Sequence, residues 1–131
     1  MEERGRGGGV SCVGIDVEWR PSFQAGVENP ASIMQVSSPD RVVIFDLFKA
    51  PKAVSPIISS LLMSPNILKL FFDLRSDTSV LSRSYPKLGC FSDWDASMDL
   101  QRFAAQDMGA TWQPSLKDCV SQYLGGMRLA K

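Results

Sequence analysis

Residues 13–20 read Val-Gly-Ile-Asp-Val-Glu-Trp-Arg. Val13, Ile15 and Val17 alternate with Gly14, Asp16 and Glu18, which is the period of a β-strand. Residues two apart on a strand project from the same face, so Asp16 and Glu18 share a side. Their Cα atoms stand about 6.6 Å apart at a strand's usual rise. Carboxylates so spaced can both reach a pair of divalent cations about 4 Å from one another. An amphipathic strand with two acids on its wet face has the same pattern, so other stretches must decide between the two readings.

Composition narrows the choice. A chain of 131 residues, 44% hydrophobic and 21% charged, is one globular domain's worth and can bury a core. Its 14 basic and 14 acidic residues cancel, so no global basic field marks a nucleic-acid binder, although a small phosphate-gripping site needs none. There is no histidine, which excludes histidine triads, histidine general bases and His-ligated metals together. Cys12, Cys90 and Cys119 are odd in number, far apart and outside any CxxC pair, so they fit neither a disulfide framework nor a zinc site. No apolar run approaches the roughly 20 residues of a membrane span. Residues 1–9 (MEERGRGGG) lack a signal peptide's apolar core. The expectation is an intracellular protein, in nucleus or cytoplasm, with no membrane association and residues 1–10 forming a flexible Gly/Arg-rich tail.

Along the chain, residues 21–31 carry the prolines, amides and glycine of a loop. Residues 32–37 (SIMQVS) and 41–47 (RVVIFDL) read as strands around a Ser38-Pro39-Asp40 turn, giving an antiparallel meander with the first strand. A helix is expected to start with Ser55 as N-cap and Pro56 in its first position. Val54, Ile57, Ile58, Leu61 and Leu62 form its apolar stripe. Residues 66–72 (NILKLFF) read as a fourth, doubly buried strand, parallel to an earlier one because a helix precedes it. A second helix opens at Ser76-Asp77, with Ser76 as N-cap and Asp77 favoured in the first turn by the helix dipole. A third runs from about Asp99 to Asp107, with Leu100, Phe103 and Ala104 inward. The last starts at Pro114-Ser115, carries Leu116, Cys119, Val120, Tyr123 and Leu124 as its stripe, and stops at Gly125.

The order β-β-β-α-β-α, with Asp-x-Glu on the first strand and an Asp opening the helix after the fourth, resembles the ribonuclease H-like exonucleases. More narrowly it is similar to the 3′–5′ exonuclease domain of ribonuclease D, the Werner-type exonuclease and the Mut-type RNA exonucleases, the DEDD superfamily. VGIDVEW matches the family's first motif. SIMQVSSPDRVVIFDL matches its two following strands, and KLFFDLRSDTSVL its second motif. MDLQRFA and PSLKDCVSQYLG match two later helices. Aligning Lys69 with the second motif's lysine places the motif's aspartate at Asp77 rather than Asp73. The resemblance implies an α/β fold with a mixed sheet, β1-β2-β3 antiparallel and β4 parallel, flanked by helices. It also implies two-metal hydrolysis of phosphodiester bonds at the 3′ end of RNA or single-stranded DNA, using Mg²⁺ or Mn²⁺. Asp16, Glu18 and Asp77 would be the catalytic, metal-holding acids, and Trp19, Lys69 and Arg75 the nucleic-acid contacts.

One motif is missing. The family's fourth carboxylate lies in Tyr-x-x-x-Asp, yet four residues after Tyr85 stands Gly89, and four after Tyr123 stands Met127. Residues 11–131 are therefore expected to form a C-terminally shortened exonuclease domain without the fold's last helix, with an apolar sheet face left open and activity impaired. The alternatives are a non-catalytic nucleic-acid-binding or scaffolding module with the same fold, and an unstable fragment. Asp99 matches a family position outside the metal centre and reads as a cap.

Overall fold

A computed structural model describes residues 11–91 and 94–125. The expected tail, residues 1–10, and the closing stretch, 126–131, lie outside the described residues. Three strands open the fold: β1 (Ser11–Trp19), β2 (Ala31–Ser38) and β3 (Arg41–Asp46). They form the antiparallel meander expected, with a tight turn at Pro39-Asp40 and a register shift at Glu18/Trp19. Then come α1 (Pro51–Met63), β4 (Ile67–Phe71), α2 (Leu74–Ser84), a short 3₁₀ turn (Gly89–Phe91), β5 (Ser97–Asp99), α3 (Leu100–Met108) and α4 (Leu116–Tyr123). The sheet order is β3-β2-β1-β4-β5, with β4 parallel to β1 and β5 parallel to β4. The fifth strand was not anticipated. Three residues are too few to show a period, and only the ladder to β4 reveals it.

The β1 alternation sorts the two faces. Ile15 and Val17 are buried and join Met34, Phe71, Ile58 and Leu62 of α1, and Val80 and Leu81 of α2, in one core. Gly14, Asp16 and Glu18 take the other face. Cross-strand partners share a face, so Ser37 and Gln35 of β2, then Val42 and Ile44 of β3, lie on the acidic side. There Val42 and Ile44 are 60% and 58% exposed.

Helix starts and inner faces differ from expectation in ways that packing explains. α1 begins at Pro51, one turn before the Ser55-Pro56 pair, so Pro56 stands inside the helix. An interior proline costs about 3 kcal/mol. Full burial of Ile58 and Leu62 contributes about 1.5–3 kcal/mol each, with Val54 and Leu61 adding partial burial, and carries the helix through it. Ile57 turns to solvent instead of joining the stripe. On α2 the N-cap is Asp73, not Ser76. Asp73 holds a left-handed backbone (φ 72°), and its carboxylate accepts the Ser76 N–H at 3.3 Å. Aspartate tolerates that conformation better than most residues. On α3 only Ala104 is buried, while Leu100 and Phe103 are exposed. On α4 only Val120 is buried, behind a Ser115–Asp118 capping box, and Leu124 precedes the left-handed Gly125 stop. The three cysteines are free thiols. Among the described residues no helix is long and apolar enough to cross a membrane.

Asp99 caps α3 as expected and does more. Its Oδ1 accepts the Gln101 N–H at 3.0 Å, the Arg102 N–H at 3.4 Å and, across the fold, the Asp73 N–H at 3.1 Å. Asp99→Ala should therefore cost about 1–2 kcal/mol in urea unfolding, while Asp99→Asn, which keeps an acceptor, should lose less than half of that. Equal losses would show that the cap is not what Asp99 supplies.

Candidate functional site

The last rung of the β1–β4 ladder is Ile15 against Phe71. Asp16 and Glu18 therefore lie at the carboxyl end of β4, where the chain turns into α2. Phe72 and the left-handed Asp73 make that turn, and Asp77 follows in the first helical turn. On the other flank, Asp99 ends β5 opposite Phe71. Acids from three segments thus meet at the carboxyl ends of adjacent parallel strands, the place where open α/β sheets form ligand crevices.

Asp77 is the unusual member. It is 6% exposed, and its Oδ2 is buried without a hydrogen-bond partner. Burial pushes its carboxyl up to about 8, and the charges of Asp16, Asp73, Glu18 and Asp99 push the same way, in that order. The positive end of α2 favours the charged form but does not offset them. Asp16, Glu18 and Asp77, drawn from distant parts of the chain, are thus brought within electrostatic reach of one another.

Their chemistry suits a hard divalent cation. All the donors are carboxylate oxygens, the acids around Asp77 repel its charged form, and its buried Oδ2 is unmatched, so a cation would relieve both the repulsion and the orphan. Among the described residues no three His, Cys, Asp or Glu side chains are already gathered at the spacing of a coordination sphere. Asp16 and Glu18 are exposed on β1, so side-chain rotation is the motion that would close the set.

The expected nucleic-acid contacts divide. Trp19, half-buried at the rim of the core, and exposed Arg75 line one groove of about 320 Å³ with Asp73, Ser76 and Arg83, beside the acids. Arg83 Nε lies 3.3 Å from Glu28 Oε2, with both side chains exposed. Lys69 is a correction. It is 0% exposed, and its Nζ donates to the Ser64 carbonyl at 2.7 Å, so it presents no charge to phosphate. The pleat places it on the core face with Phe71. Burial lowers its pKa, partly opposed by Asp95. Sequence reasoning also missed that Asp99 belongs to the acidic field, because only the β4–β5 ladder brings it there, and that Asp73 joins it from the helix cap.

The sign of the pH dependence follows from Asp77. Between pH about 4 and about 8 the folded chain keeps a proton that the unfolded chain has released. The penalty for the charged form is absent below that window and complete above it. In EDTA, Asp77→Asn should gain melting temperature over the unsubstituted chain as pH rises from 5 to 8, and the gain should level off beyond. A pH-independent difference, read by thermal denaturation, would mean that Asp77 does not titrate there.

A sequence profile of the 3′–5′ exonuclease family matches residues 5–131. The chain is 33% identical over 84 residues to the human (Homo sapiens) exonuclease mut-7 homolog, covering 58% of this chain and 10% of that protein. It superposes on the crystal structure of the Aedes aegypti Nibbler EXO domain with a TM-score of 0.73 at 22% identity, over 93% of this chain and 62% of that one. The Trypanosoma brucei RNase D complex with RNA U12 gives a TM-score of 0.75 at 26% identity, over 92% and 42% of the two chains. This chain therefore spans a tenth of the human relative and under two thirds of the Nibbler domain. The mixed five-stranded sheet with its flanking helices is the ribonuclease H-like fold of these neighbours. With nearly its whole length matched, this chain belongs to the 3′–5′ exonuclease family.

Proposed function

We propose that this chain hydrolyses phosphodiester bonds at the 3′ end of RNA or single-stranded DNA with two divalent cations, Mg²⁺ or Mn²⁺. The observation that carries the reading is Asp77, a buried carboxylate with an unmatched oxygen, standing in the field of Asp16 and Glu18. Asp16, Glu18 and Asp77 would hold the cations. When bound, such ions lower the pKa of an attacking water and neutralise charge on the leaving oxygen. Trp19 offers a ring to a base, and Arg75 a guanidinium to a phosphate, at the edge of the same cluster. RNA as partner is supported by the RNA-bound Trypanosoma brucei RNase D. An intracellular location is part of this reading and rests on the three free thiols.

The donor set within residues 1–131 is three carboxylates. Neither tyrosine begins the Tyr-x-x-x-Asp motif, since Gly89 and Met127 stand where its acid belongs. Three carboxylates on their own hold two cations less tightly than four. In a second reading, these three carboxylates alone do not assemble the cation pair, and the chain binds nucleic acid without cutting it.

A 5′-labelled single-stranded oligonucleotide should shorten stepwise from its 3′ end in Mg²⁺. Asp16→Ala should lower the rate by about a hundredfold or more. Mg²⁺ should also raise the melting temperature of the unsubstituted chain and not that of Asp16→Ala. Binding and a thermal shift without shortening would favour the second reading. No shift and no binding would sink both.

A further inference from the structure

On the side of β1 away from Arg75 lies a larger groove of about 520 Å³, lined by Arg20, Asn29, Ser32, Ile33, Phe48 and Lys49, with Asp46 at its edge. We infer that this groove seats the unpaired nucleotide next to the scissile bond, with its base on the Phe48 ring and its phosphates between Arg20 and Lys49. The inference rests on the nuclease reading above and names the substrate form that reading would take.

Position is the first argument. Ile33, in the groove wall, is the cross-strand partner of Glu18 and of Asp46, so the groove begins one strand away from the acids and on their face. Neighbouring strands lie about 4.8 Å apart, less than the span between successive phosphates of a stretched single strand. A strand with its end at Asp16 and Glu18 enters this groove without crossing the core.

The second argument is that the walls are already fixed. The Leu47 and Phe48 N–H groups both donate to the Ser32 carbonyl, at 3.0 and 3.2 Å. The Lys49 N–H donates to Asp46 Oδ1 at 2.9 Å. Across the groove, Asn29 Nδ2 donates to the Arg20 carbonyl at 3.0 Å and the Pro21 carbonyl at 3.3 Å. Leu47 is buried, which anchors the segment, while Phe48 beside it is 66% exposed. A ring held outward on a pinned backbone loses little freedom when a base covers it.

Chemistry supplies the third. A positively charged groove with an aromatic platform is the arrangement that binds single strands with little regard to sequence, because every base has a π-face. A base inside a duplex has both faces covered by its neighbours, so the Phe48 ring suits an unpaired nucleotide. Asp46 also lines this space, and its Oδ1 is taken up by the Lys49 N–H.

Fluorescence anisotropy with a labelled single-stranded oligonucleotide, in Ca²⁺, reads the groove directly. Phe48→Ala should weaken binding about five- to a hundredfold, and Phe48→Trp should keep it. Arg20→Ala and Lys49→Ala should each reduce the slope of log K against log salt by about 0.7. The exposed sites leave the fold intact, which circular dichroism checks. Binding that survives Phe48→Ala and both cation substitutions unchanged overturns the groove and leaves the nuclease reading standing. An unsubstituted chain that binds no single strand overturns both.

Discussion

The parallel ladder that pairs Cys12 with Leu68 and Ile15 with Phe71 carries both halves of the acidic cluster on one rigid frame. Parallel strands need a long crossover, which the α1 segment supplies, and this crossover decides at which end of the sheet α2 begins. Were β4 antiparallel to β1, Asp77 would lie a strand's length from Asp16 and Glu18. Register is as strict as direction. A slip of one residue would turn the two β1 acids onto the core face and put Ile15 and Val17 in water. Burial of those two side chains therefore fixes where the carboxylates point.

The frame gathers like charges, and the cost is concentrated on one residue. Asp77 is shut away from water among acids that all oppose its ionisation. Such an arrangement destabilises the fold at neutral and alkaline pH, and it persists because α2 is anchored elsewhere. Val80 and Leu81 are buried, the Ser84 hydroxyl accepts the Ala31 N–H at 2.8 Å, and the Tyr85 hydroxyl donates to the Ala31 carbonyl. Strain of this kind, kept where packing over-determines it, is what a site for a cation or a transferred charge requires.

A net charge of zero conceals a strongly patterned field. Acids occupy the centre of the strand ends. Arg75 and Arg83 flank them along α2, and Arg20 and Lys49 flank them beside β2 and β3. A phosphodiester chain crossing this end would meet positive charge, then carboxylates that only a cation can make attractive, then positive charge again.

That Asp16 and Glu18 share a strand face and that Asp77 stands in a first helical turn were legible because each rests on local physics. A two-residue period sorts faces without reference to the rest of the chain, and the residues around Asp77 set it in the first turn of its helix. The meander, the cap at Asp99 and the helix start at Pro114-Ser115 were legible for the same reason, and the parallel fourth strand from the helix that precedes it. Helix starts were less so. Pro51 and Pro56 offer two competing first positions, and a left-handed Asp73 cap has no periodic signature. The burial of Lys69, the existence of β5, and the joining of Phe48 to Arg20 across the sheet were decided by tertiary structure alone. Each depends on which strand lies beside which, and that is settled by the whole core closing at once rather than by any stretch of sequence.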